Sequence, residues 1–147
     1  MAERFEATVV IDRPIEQVFD FLANGENDKE FSSRVLEIAK TTDGPPGVGT
    51  IFASTVKDAG VKTKREFELV EFERPTKIRW HELSKAPVVV PGGGYDLAPE
   101  GEGTKVTLFN ELEGRGFGKL IVGFAVRSAR KSADGMVAAI KAVVEAT

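Results

Sequence analysis

From Thr50 to about Glu113 the chain reads as strand after strand, and it then closes on a single long amphipathic helix. That succession limits the possible folds more than any other feature. The segments "TIFASTVKDAG", "VKTKREFELVEFERP", "TKIRWHELS", "VVVPGGGYDLAPEGEG" and "TKVTLFNELEG" are rich in β-branched and aromatic residues. Asp58-Ala59-Gly60, Arg74-Pro75 and Glu100-Gly101-Glu102-Gly103 supply turn chemistry between them, so they read as consecutive antiparallel hairpins. In "FGKLIVGFAVRSARKSADGMVAAIKAVVEAT" the residues Phe117, Leu120, Ile121 and Phe124 recur at helical spacing, and Met136, Val137, Ile140 and Val144 continue the stripe. Gly135 inside this helix costs about 1 kcal/mol against alanine. A sheet with one apolar face must be covered, and only this last helix is long enough to cover it.

The first third fits the same plan. Phe5, Ala7, Val9 and Ile11 alternate along "RFEATVVID", a strand. "RPIEQVFDFLAN" then changes to a helical period, with Val18, Phe19 and Leu22 inward, Asp12 as a candidate cap and Pro14 in the first turn. Asn24-Gly25 ends it; "ENDKEFS" reads as a second short helix with Phe31 turned inward, and "RVLEIAKTT" as strand two. The expectation is an α+β protein, one domain over residues 1–147. A curved seven-stranded antiparallel sheet wraps a long C-terminal helix, with two short helices between strands 1 and 2.

Composition removes several function classes. A net charge of −3 gives no general attraction for nucleic acid, and the absence of cysteine excludes disulfides, thiolate metal sites and cysteine nucleophiles. "MAERFEATVV" lacks the pattern of a signal peptide, and no apolar run approaches a membrane span, so a cytoplasmic protein without stable membrane insertion is expected.

Three glycine clusters invite a phosphate-binding reading. "DGPPGVGTIF" leads into the β-branched run Thr50-Ile51-Phe52 and not into a helix, and it lacks the lysine and hydroxyl of a phosphate loop. It reads as a turn, with a role as a cavity lip the alternative. In "EGRGFGKLI" Glu113 stands where the first glycine must be and Leu120 where the hydroxyl must be, which leaves a flexible joint into the long helix. "PGGGYDL" reads as relief of crowding where a strand bends. The only histidine, His81, points away from the sheet's inner face by strand parity, and "HELSK" is not a zinc motif. Arg127, Arg130 and Lys131 read as a solvated helix flank. No metal and no cofactor is expected.

In "VVIDRPIEQVFDFLAN", "DGPPGVGTIF", "FELVEFERPTKIRW", "YDLAPEGEGTKVTLFNELEG" and the amphipathic last helix the chain resembles the START-like superfamily, the Bet v 1-like helix-grip proteins. Within it the resemblance is to the polyketide cyclase/dehydrase and lipid-transport branch called SRPBCC, along essentially the whole chain. The resemblance implies an apolar cavity between the sheet and the long helix.

Alternation assigns the residues facing that space. They are Phe52, Ser54 and Val56 on strand three and Thr63, Arg65, Phe67 and Leu69 on strand four. Ile78, Trp80 and Glu82 on strand five and Tyr95 and Leu97 on strand six follow, with Val106, Leu108, Asn110 and Leu112 on strand seven. Phe117, Leu120, Ile121 and Phe124 would face them from the helix. The mixture of large apolar walls with a few polar groups is that of a small-molecule pocket and not of a solid core, where unpaired polar groups are costly. Arg65 and Glu82, on neighbouring strands, either orient a polar ligand group or satisfy each other; a bulge near Leu69-Val70-Glu71-Phe72 would flip part of strand four.

The leading expectation is therefore a carrier that takes up a hydrophobic, aromatic or polycyclic small molecule, as monomer or homodimer. A cyclase/aromatase-type enzyme using Arg65, Glu82 or Tyr95 is the alternative. A protein-interaction or chaperone-cofactor module is the third.

Overall fold

The computed structural model describes residues 2–58 and 60–147; Ala59, which the sequence places in the turn after strand three, lies outside the described residues, as does Met1. Strand β1 (Glu3–Ile11) leads into helix α1 (Ile15–Ala23) and a 3-10 helix (Gly25–Glu30). Strands β2 (Val35–Lys40), β3 (Ile51–Asp58), β4 (Val61–Glu73), β5 (Lys77–Glu82), β6 (Val88–Glu100) and β7 (Gly103–Gly114) follow. A second 3-10 helix (Gly116–Leu120) precedes the long helix α2 (Val122–Glu145).

The strands form one antiparallel sheet of order β1-β7-β6-β5-β4-β3-β2. From β2 to β7 each neighbour pair is consecutive in the chain, as short turns dictate. Pairing of β1 with β7, from Glu3 opposite Leu112 to Ile11 opposite Thr104, brings the first strand beside the last. The expected bulge is present: the β4–β5 register shifts between Leu69 and Glu71. Because the extra residue comes after Leu69, Arg65, Phe67 and Leu69 keep their common face, while Phe72 turns inward and meets Phe19 of α1 edge-on at 5.2 Å.

Helix α2 packs its C-terminal half firmly. Val137, Ile140 and Val144 are buried with Ile11, Val18, Phe19, Leu97 and Val106 in one apolar cluster. Burial of each such side chain contributes roughly 1.5–3 kcal/mol. Arg13 ties the end of the helix by donating to the carbonyl of Glu145, and the Glu145 carboxylate accepts from the Asp12 backbone N–H at 2.7 Å. These contacts hold the Glu145 carboxyl below its ordinary pKa, the Asp12 N–H first and Lys141 next.

Two expectations about helix starts are corrected. Asp12 does not cap α1: Pro14 occupies the N-cap and no side chain bonds there. The C-terminal helix starts at Val122 and not at Phe117. Gly118 is buried so tightly against the residue preceding β6 that a Cβ there would lie 1.7 Å from the Pro87 carbonyl oxygen. Pinning that face inward turns its neighbours outward, and Phe117, Leu120 and Ile121 are 66%, 88% and 44% exposed.

Candidate functional site

The concave face of the sheet and the N-terminal half of α2 enclose a cavity of about 540 Å³. Its walls are built strand by strand. Phe52, Ser54 and Val56 come from β3, Arg65, Phe67 and Leu69 from β4, Ile78 and Trp80 from β5, Tyr95 from β6, and Leu108, Asn110 and Leu112 from β7. The helix adds Phe124, Ala125, Ser128, Ala129, Ser132 and Met136. Small residues on this stretch of α2 leave space where Val137, Ile140 and Val144 fill it further along. Arg34, Asp58 and Phe124, all exposed, border the hollow, so it opens to solvent at that end.

Several of the residues assigned to the site by sequence do not line the cavity. Thr63 has the right parity but lies exposed near the end of its hairpin. Leu97 and Val106 are packed solid in the closed end. Phe117, Leu120 and Ile121 point outward, whereas Phe124 does line the cavity, at its rim, with 73% of its surface exposed. Glu82 stands behind the wall, bonded to Arg65.

The polar groups on this face are mostly satisfied by one another. The fully buried Glu82 carboxylate accepts from Arg65 Nε at 2.5 Å, Arg65 Nη2 at 2.9 Å, the Val90 N–H at 2.9 Å and the Ser84 hydroxyl. Arg65 Nη2 also donates to the Val88 carbonyl at 3.1 Å. Arg65 and Glu82 thus satisfy each other, and the Val88, Val90 and Ser84 groups complete the set of bonds. Trp80 Nε1 donates to Asn110 Oδ1 at 2.9 Å, and its ring meets Tyr95 edge-on at 5.2 Å. Gly93 makes the first contact possible, because a Cβ there would lie 2.0 Å from Asn110 Oδ1. The "PGGGYDL" glycines thus admit side chains of neighbouring strands at a β6–β7 register shift between Val89 and Gly92.

The sequence turns Leu22 and Phe31 inward and puts Phe5 on one strand face without assigning them to the cavity, and it gives no sign of Gly25 or, above all, Asp28, which line it beside them. Asp28 sits in the 3-10 helix of "ENDKEFS", and burial pushes its carboxyl up to about 7. No hydrogen bond or cation among the described residues offsets that burial. Among the described residues every fully enclosed side-chain nitrogen or oxygen has a partner, so the Asp28 oxygens keep some accessible surface, and Asp28 is one of the residues that line the hollow. The Tyr95 hydroxyl is driven well above its ordinary pKa by burial first and by the Asp28 charge second, and it stays a neutral donor. Asp28 was invisible in sequence because "ENDKEFS" is polar throughout and a 3-10 turn has no strong periodicity to say which side faces in.

Backbone N–H groups of two of the glycine loops are spent on bonds within the protein. In "DGPPGVGTIF" the Gly49 N–H donates to the Leu69 carbonyl at 2.8 Å and the Gly47 N–H to Thr50 Oγ1 at 2.9 Å. In "EGRGFGKLI" the Arg115 and Gly118 N–H groups donate to the Pro87 and Arg115 carbonyls. None of residues 43–49 lines the cavity, so the loop is a turn and not its lip. His81 faces outward, 2.9 Å from Glu68. A second hollow, about 590 Å³, is an open groove across the outer face of β2–β4 walled by Glu37, Lys64 and Glu66. Among the described residues no cluster of His, Asp and Glu could hold a metal, and no helix is long and apolar enough to cross a membrane.

Residues 2–145 match the family described as polyketide cyclase/dehydrase and lipid transport. The chain belongs to this family. No curated protein matches it. Among solved structures it is similar to TTHA0849 from Thermus thermophilus, with 20% identity, 98% of each chain covered and a TM-score of 0.81. It is similar to the Zhui aromatase/cyclase from Streptomyces sp. R1128, with 16% identity over 99% of this chain and 94% of that one and a TM-score of 0.82. A START superfamily protein from Mycobacterium smegmatis shares 13% identity over 97% of each chain, with a TM-score of 0.74. At these identities the likeness establishes the helix-grip fold. A polyketide cyclase/lipid-transport family domain with a START-like fold is a ligand-binding domain, and chemistry beyond that must come from its own residues.

Proposed function

We propose that this domain is a carrier that takes up one hydrophobic, aromatic or polycyclic small molecule between the sheet and α2. The observation that carries the reading is the cavity of about 540 Å³ walled by Phe5, Phe31, Phe52, Phe67, Trp80 and Tyr95. That volume lies within the range of about 300–1,000 Å³ usual for small-molecule sites, and apolar walls with few polar groups are their usual composition. Ring faces and edges favour flat aromatic guests through offset and edge-on contacts. The ion pair Arg65–Glu82 supports this reading as scaffold, since it holds β4, β5 and the start of β6 together behind the wall.

Trp80, the sole tryptophan, lies in that wall and reports on occupancy. Titration with neutral polycyclic probes such as pyrene and prodan should change its emission saturably at one probe per chain. Native mass spectrometry should detect the same stoichiometry. Absence of any response across neutral aromatic probes of graded size overturns the reading.

A further inference from the structure

The charged groups around the cavity can be paired off one by one. The segment before β2 contributes Arg34 and β3 contributes Asp58, which bond to each other at 2.5 and 2.7 Å. Strand β4 contributes Arg65, neutralised by Glu82 of β5. Strand β6 contributes the neutral phenol of Tyr95, while β1, β7, α1 and α2 present only uncharged side chains to the hollow. What remains is Asp28, from the first 3-10 helix, with no partner among the described residues. An unpaired carboxylate in an apolar enclosure is destabilising, and a ligand able to neutralise it recovers that cost on binding.

We propose that the preferred ligand of this cavity is a hydrophobic amine, whose protonated nitrogen pairs with the Asp28 carboxylate while its apolar body lies against the aromatic wall. The proposal rests on the carrier reading above and sharpens it to a ligand class. Three features of the site converge on it. The uncompensated charge is negative, so an anionic guest is repelled, and Arg65, the one inner cation among the described residues, is already committed to Glu82. Phe31, Phe52 and Tyr95 line the same cavity as Asp28, and aromatic rings attract an organic cation. Asp28 also titrates at about 7, so it is available as a carboxylate near neutrality without being permanently charged. By linkage, a cation that binds only the ionised form gains affinity about tenfold per pH unit below that value and levels off above it.

The test compares dansylcadaverine, a primary amine, with its N-acetyl derivative, which keeps the fluorophore and loses the charge. Full-length protein at pH 8 should bind the amine at least tenfold more tightly than the acetamide. Its affinity should fall about tenfold between pH 6 and pH 5, with the acetamide unchanged. Asp28→Asn, nearly identical in shape, should abolish the preference and keep acetamide binding. On the wild-type protein, calorimetry at pH 6 in buffers of different ionisation enthalpy should show a proton released when the amine binds and none for the acetamide. Equal affinities with no proton release overturn the amine assignment and leave the carrier reading intact. Failure of both probes to bind overturns both.

Discussion

Replacement of Arg65 by methionine should be among the more damaging single substitutions on the sheet. It removes three hydrogen bonds, two to Glu82 and one to the Val88 carbonyl, and strands a carboxylate whose side chain has no accessible surface. Breaking a buried pair from one side costs about 3–5 kcal/mol, because the remaining charge is left unpaired. At about 2–4 °C per kcal/mol for a chain of this size, the melting temperature should fall roughly 6–20 °C. Glu82→Leu should cost less, since Arg65 keeps 18% of its side-chain surface and can reach water. Its penalty is mainly the unpaired Val90 N–H, at about 1–3 kcal/mol, because the Ser84 hydroxyl still accepts from the Glu66 N–H at 3.2 Å. The double variant removes both charges and should be more stable than Arg65→Met alone, so a double-mutant cycle should give a coupling energy of about 1.5 kcal/mol or more. Urea unfolding followed by Trp80 emission and circular dichroism measures all four corners. Single losses below about 1 kcal/mol that add without coupling would show that the pair behaves as a solvated surface bridge, and the structural reading of Glu82 would be refuted.

Further consequences follow from other sites. Because burial raises the Asp28 pKa from 3.8 to about 7, the folded state holds its proton while the unfolded chain loses it, so this group's contribution makes stability fall as pH rises from about 4 to 7. Asp28→Asn should flatten that slope and stabilise the ligand-free protein at pH 8 by up to roughly 4 kcal/mol, an upper bound at 1.36 kcal/mol per pH unit; a slope unchanged in the variant contradicts the assignment. Gly93→Ala should break the Trp80–Asn110 hydrogen bond, costing about 1–3 kcal/mol and shifting the single tryptophan's emission; unchanged emission would show that Asn110 simply moves aside. Leu120→Ser, at 88% exposure, should change stability by about 0.5 kcal/mol or less, whereas Ile140→Ala, fully buried on α2, should cost about 2–5 kcal/mol in the same denaturant assay.

The residues of a strand carry their own orientation, because side chains alternate and the pattern survives until a bulge interrupts it. Phe52, Ser54, Val56, Arg65, Phe67, Trp80, Tyr95, Leu108 and Asn110 could therefore be placed on the inner face from sequence, and the bulge after Leu69 could be located by the break in period. The core half of α2, from Met136 through Val144, was legible for the same reason. Tertiary structure alone decided the rest. Which inner-face residues border a hollow depends on how closely α2 approaches each strand, so Leu97 and Val106 became solid core while Leu108 and Asn110 became wall. The outward turn of Phe117, Leu120 and Ile121 follows from one close approach, Gly118 against Pro87, between segments far apart in chain order. Asp28 acquired its character only when β1, α1 and the sheet closed around it, since a carboxyl's affinity for a proton is set by the dielectric and charges about it and not by its neighbours in sequence.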